Sequence, residues 1–198
     1  GEDIEELIER GKWLSWQDFV AVVRKLRNEW ESHLSKEPAS LSNARKLHDL
    51  LLPGLYSCTP ARGSGIRLLQ FFSEEELSMR KGRLTIKKYV ETEKVNIITK
   101  IGDVWRMYVS DFKNSRSIGT DVTDLDVFDW WCQLFETYQE SYRSLIVGAA
   151  CDHSFVFVTK TAKPFSGPYW SDYISTLLFK LTGVAAATGG FLYNNKAM

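Results

Sequence analysis

The chain has 198 residues, 44% hydrophobic and 25% charged, which are the proportions of a globular protein with one core large enough to bury most of its apolar surface. Its 25 Lys/Arg balance 25 Asp/Glu, and this neutrality counts against a nucleic-acid binder, which is usually basic overall. Three scattered cysteines, Cys58, Cys132 and Cys151, form no C-x-x-C pair and lie far from His33, His48 and His153, so neither a zinc site nor a disulfide scaffold is expected.

That cysteine usage fits a reducing intracellular compartment, nuclear or organellar. The chain opens on Gly1 rather than Met, which reads as removal of upstream residues, and no signal-peptide core is visible. The charge is unevenly spread. Residues 41–120 hold fourteen Lys/Arg against eight Asp/Glu, while the flanking segments 1–40 and 121–198 are each acidic by three. Aromatic residues make up 13% of the chain, with seven Trp, a content suited to cores and interfaces.

Residues 3–10 (DIEELIER) read as a short acidic helix. Ser15 caps the next, with Asp18 in its first turn and Phe19, Val22, Val23, Leu26 and Trp30 at helical spacing, running to about Leu34. A loop over Lys36–Ser42 contains Pro38, and Ser42 is expected to cap a leucine-rich helix that stops near Pro53-Gly54. The stretch Leu55–Gly65 is turn-rich, and Ile66–Phe72 suits a short helix or a strand.

Three β-like runs follow, Leu84–Val90, Val95–Thr99 and Val104–Val109. Turns at Glu91–Lys94 and Lys100–Asp103 separate them, so the pattern predicts a three-stranded antiparallel meander. Asp111–Gly119 (DFKNSRSIG) is a polar loop. Asp124 is expected to cap a helix to about Leu145, with Phe128, Trp131, Phe135 and Tyr138 as its core stripe and Trp130 off that stripe. Phe155–Thr159 is a short apolar strand, Lys163–Pro168 a turn, and Trp170–Leu181 a helix ending at Gly183. The uncharged stretch Leu181–Asn195 is too short to span a bilayer. Glu74-Glu75-Glu76 reads as a solvated loop or helix start rather than a metal site, and no phosphate-loop or dinucleotide motif is present, so no cofactor is expected.

Four features stand in a meaningful order: LHDLLLPGLYSCTPARGSGIRLLQ, the meander, the loop DFKNSRSIG, and HSFVFVTKTAKPFSGPYWSDYISTLLFKLTG. The set resembles the catalytic domain of tyrosine recombinases (phage-integrase-like, eukaryotic or viral branch) over residues 13–185, with 1–12 as an extension and 186–198 as a tail. The resemblance implies an α+β fold, mainly helical with a small sheet, built as a DNA breaking-and-rejoining core. It also implies roles. In that family arginines clamp a phosphodiester whose transition state carries extra negative charge, and a hairpin lysine protonates the leaving oxygen. Arg62 matches the first clamp arginine and Lys113 the hairpin lysine, although Asn114 stands where the family often has Thr. Arg67 is either a phosphate contact or half of an ion pair at the core edge, and Arg116 contacts backbone phosphates or is solvated.

The departures are equally specific. After Gly183 the chain reads VAAATGGFLYNNKAM, with no H/K-x-x-R pair and with Tyr193 too close to serve as the family nucleophile. The expectation is a catalytically incomplete recombinase-like domain that retains DNA-backbone contacts through Arg62, Arg67, Lys113 and Arg116. The alternative is a non-catalytic subunit of a larger protein assembly, with protein partners in place of DNA.

Overall fold

The computed structural model describes residues 4–10, 13–59, 63–110, 120–124 and 128–183. The fold is α+β, and the chain divides into two compact units, one from residues 1–60 with 166–198 and the other from 61–165.

The first unit is helical: α1 (Ile4–Glu9), α2 (Trp16–Ser32), a 3₁₀ turn at Leu34–Lys36, α3 (Leu41–Cys58) and, after the second unit, α9 (Gly167–Thr182). The Ser15 hydroxyl accepts the Asp18 N–H at 3.1 Å, the expected cap, and α2 buries Phe19, Val23 and Trp30. For α3 the cap is Ser40 rather than Ser42, and its Oγ accepts the Asn43 N–H at 3.1 Å. The helix also runs through Pro53 instead of stopping there. An interior proline costs about 3 kcal/mol. Every residue from Leu50 to Tyr56 is buried, and four leucines at roughly 1.5–3 kcal/mol each outweigh that cost.

Helix α9 ends on Gly183 at φ +73°, as its sequence predicts, but it begins earlier than Trp170, on Ser166, whose Oγ accepts the Tyr169 N–H. Two polar ties hold it to α3. The Trp170 indole donates to the Tyr56 hydroxyl at 3.1 Å, and the Tyr173 hydroxyl donates to the Asp49 carboxylate. His48 Nδ1 lies 2.9 Å from the same Asp49 oxygen.

The second unit surrounds a sheet: α4 (Gly63–Arg67), β1 (Leu69–Phe71), α5 (Glu74–Lys81), α6 (Ile86–Glu93), β2 (Asn96–Ile101), β3 (Val104–Val109), β4 (Asp121–Asp124), α7 (Asp129–Thr137), a π turn at Tyr138–Tyr142, and α8 (Arg143–Val147). The sheet is four-stranded and mixed, in the order β1-β2-β3-β4, and not a three-stranded antiparallel meander. Strand β1 pairs with β2 in parallel, while β2–β3 and β3–β4 are antiparallel.

The run Leu84–Val90 is not a strand. Thr85 caps α6 through its hydroxyl, which accepts the Lys88 N–H at 3.2 Å, and Tyr89 and Val90 fall together on the buried side. Leu84, Ile86 and Val90 fit a period of two, while Ile86, Tyr89 and Val90 fit a period of three to four, and burial chooses the latter. The turn expected at Glu91–Lys94 is the end of this helix, with Lys94 in the left-handed region at φ +53°. Gly102, at φ +59°, makes the β2–β3 turn as expected.

Asp124 belongs to β4 and does not cap the following helix, which starts five residues later behind Phe128. The predicted stripe holds for Trp131, Phe135 and Tyr138, all fully buried, while Phe128 and Trp130 are half-buried. Phe155–Thr159 does not form a strand. It makes one bridge, Gln70 to Phe155, beside β1, with Val156, Phe157 and Val158 buried.

Burial pushes the Cys58 thiol up to about 11, and burial with the Asp49 charge raises the Tyr173 phenol well above its ordinary value. Above the unfolded-chain values of about 8.5 for Cys and 10 for Tyr, the unfolded chain releases protons that the folded chain retains, so stability falls as pH rises through this window. Urea unfolding at pH 8 and pH 10.5 is expected to show that loss. Tyr173→Phe should cost about 1.5–3 kcal/mol at pH 8, the range for a hydrogen bond to a charged group, and should flatten the alkaline decline.

Candidate functional site

Of the residues singled out in the sequence, Arg62, Lys113 and Arg116 lie outside the described residues, as does the loop 111–119. What is described is the framework on either side of them. Arg62 precedes α4 directly, and the 111–119 segment joins Ser110, after β3, to Thr120, before β4. These two strands pair antiparallel up to Val109↔Asp121, so the segment carrying Lys113 is the connection of a hairpin.

Both stems of that hairpin are pinned by side chains. On the leading stem, the Ser110 N–H donates to Asn96 Oδ1 at 2.9 Å, and its hydroxyl donates to the Val95 carbonyl at 3.3 Å. Asn96 is buried at the start of β2. On the trailing stem, the Thr120 N–H and hydroxyl reach Glu91 Oε1 of α6 at 3.3 and 3.2 Å. A carboxylate accepting two donors makes charge-assisted bonds, the stronger kind.

Helix α4 meets the same stem. A Cβ added at Gly65 would lie 2.7 Å from Cγ1 of Val109, so the helix backbone touches β3 where no other residue type fits without movement. On its other side α4 is held by Arg67, half-buried, whose Nη1 donates to the Phe165 carbonyl at 2.6 Å. Arg67 thus ties α4 to the KPFS turn by a backbone contact. The outcome is that the segment leading out of Arg62 and the segment leading into Lys113 share one packed contact, Gly65 on Val109.

Sequence reasoning missed the anchors. Asn96 and Glu91 looked like ordinary polar residues at a strand start and in a turn, because their partners, fourteen and twenty-nine residues away, cannot be read from spacing. Gly65 does carry a signal in the Gly-Ser-Gly run, but a turn-rich stretch does not distinguish a turn from a close approach.

Two other polar constellations were not foreseen. Tyr173, Asp49 and His48 bring a phenol, a carboxylate and an imidazole together in the first unit. A nucleophilic tyrosine needs a lowered pKa, and here burial and the carboxylate raise it, so the trio fastens α9 to α3. In the second unit, Arg143 donates to the carbonyls of His153 and Phe155, each at 3.0 Å, and His153 Nε2 lies 2.7 Å from the Ala162 carbonyl. A carbonyl only accepts, so Nε2 carries the hydrogen, and Nδ1 is left to accept from the Phe155 N–H at 3.4 Å. This network orders the irregular stretch that follows α8.

Glu74, Glu75 and Glu76 form the first turn of α5, capped by Ser73, where carboxylates suit the helix dipole. Among the described residues no group of His, Cys, Asp and Glu is placed to hold a metal, and no helix is long and apolar enough to cross a membrane. Compared with known proteins, the chain matches no family model, no curated protein and no solved structure.

The Gly65–Val109 contact makes a direct prediction. Gly65→Ala should destabilise the protein by about 1–3 kcal/mol through overpacking, despite alanine's better helix propensity. Val109→Ala opens the space, so the double variant should recover most of the loss caused by the glycine change. A double-mutant cycle in urea reads the coupling, and additive effects would show that the two residues do not press on each other.

Proposed function

We propose that this chain is a DNA-backbone-binding domain of tyrosine-recombinase type, in which Arg62 and Lys113, with Arg116 beside them, address one phosphate. The single observation that carries the reading is the packing of Gly65 on Val109. Arg62 stands three residues before Gly65, and Lys113 four residues after Val109. At about 3.3–3.6 Å per extended residue, these short chain lengths allow both residues to reach a common anion near that contact. The pinned stems at Ser110 and Thr120 support the same reading, because a loop must be held at its base to present a cation repeatedly to the same place.

The chemistry favours phosphate over a carboxylate ligand on the family resemblance alone: a forked guanidinium and an ammonium are how such a clamp holds non-bridging oxygens. Within these 198 residues the H/K-x-x-R pair and a correctly spaced tyrosine of that pattern are not found, so the reading is of binding without strand cleavage by this chain alone. Zero net charge favours the other reading, a scaffold within a protein assembly.

A salt titration separates the two. Anisotropy of a labelled 20-base-pair duplex should show affinity falling linearly with log salt, with a slope of about −0.9 for each phosphate neutralised. Arg62→Ala and Lys113→Ala should each weaken binding and reduce that slope by about one contact. Absence of binding at about 50 mM salt, or binding with no salt dependence, removes the DNA reading.

A further inference from the structure

A second site lies at the opposite end of the same strands. Ser110 and Asn96 mark one end of β2 and β3, and Lys100 and Trp105, cross-strand partners, mark the other, about 13 Å away by strand rise. There a pocket of about 330 Å³ opens, with Phe71 and Trp105 as its aromatic wall and Glu74, Glu136 and Glu140 among its lining. The wall is rigid. Phe71, Trp105 and Phe135 pack mutually, with ring centroids 5.4 to 5.9 Å apart.

The pocket already shows what it accepts. Lys100 Nζ stands 5.9 Å from the Trp105 ring centroid and 3.4 Å from Glu136 Oε1, an ammonium between an aromatic face and a carboxylate. That internal pair is loosely made, with 34% of the Lys100 side chain and 43% of the Glu136 side chain exposed, and exposed pairs are weak. It also leaves the site over-supplied with negative charge, because three carboxylates line the pocket against one ammonium. Glu74 is fixed in place by the Gly102 N–H, which donates to its Oε2 at 3.2 Å. One lining residue has an unmet need: Gln139 Nε2 is buried with no acceptor among the described residues.

We propose that this pocket binds an arginine or lysine side chain presented by an extended segment of a partner protein, with Lys100 as the intramolecular stand-in that the incoming cation displaces. The incoming group stacks on Trp105 and pairs with Glu136 and Glu140, which relieves the carboxylate surplus. Arginine fits better than lysine, because a planar guanidinium both stacks on an indole and forks onto a carboxylate. Phosphate-bearing partners are repelled by the same three carboxylates, so this face and the hairpin face select opposite charges.

The probe is a capped heptapeptide of glycine and serine with one central arginine, and its twin with citrulline, which has the same shape without charge. Titrated into the ¹⁵N-labelled chain, the arginine peptide should shift the Trp105 indole, Gly102 and Gln139 amide signals and bind about tenfold tighter than the twin, the difference one charge-assisted pair makes. Glu136→Gln with Glu140→Gln should erase that difference, and Lys100→Met should tighten binding severalfold by removing the competitor. Equal binding of the two peptides overturns the proposal. So does weaker binding in Lys100→Met, or displacement of the same signals by a short DNA duplex.

Discussion

Strand β2 is the constraint on which the second unit depends. A strand sends successive side chains to opposite faces, and β2 has work on both. Ile97 and Ile101 go with Tyr108 and Val122 toward α5 and α6, in a cluster with Leu77, Tyr89 and Val90. Asn96, Ile98 and Lys100 fall on the other face, opposite Met107 and Trp105, where α4 and α7 pack. A slip of one residue would exchange the faces, burying Lys100 and turning Ile97 and Ile101 the wrong way. The register is therefore fixed by burial on both sides, and it aligns a hydrogen-bonding Asn96 with one end of the sheet and a cation–π lysine with the other.

That placement gives the two ends of one small sheet different surroundings. At the Asn96 end, bonds to backbone donors and the Gly65–Val109 contact hold the base of the β3–β4 hairpin. At the Lys100 end, carboxylates from α5, α7 and the π turn gather around an aromatic wall. The chain's charge neutrality is then a sum over opposed local surpluses, which composition alone reports as nothing.

Much of the fold was legible where local chemistry decides it. Ser15 and Gly183 mark the ends of α2 and α9 because capping is a contact of a few residues. The Gly102 turn and the stripe through Trp131, Phe135 and Tyr138 were readable for the same reason. The failures share one cause, which is that distant burial overrode a local preference. Pro53 sits inside a helix because its neighbours are all buried, and Tyr89 and Val90 join a core that draws on five elements. Strand β1 was invisible as a parallel partner, since its pairing with β2 spans twenty-seven residues and two helices. The candidate site was legible only as residue types in order. Its supports, Asn96, Glu91 and Gly65, act through partners that no spacing rule reaches, and the acidic pocket was seen only as a helix start at Glu74.

The order of the two units along the chain bears on how the protein reaches this state. Tyr56 and Trp170 meet across 114 residues, so the contact that closes the first unit brackets the whole second unit in the chain. For a flexible chain, closing a loop of that length costs about 4 kcal/mol in entropy before any contact rewards it. A second unit that condenses early turns the loop into a compact body and lowers that toll. If residues 61–165 condense first, helix α9 docks on α3 across a shorter effective loop, and the Tyr173–Asp49 and Trp170–Tyr56 bonds form with that docking.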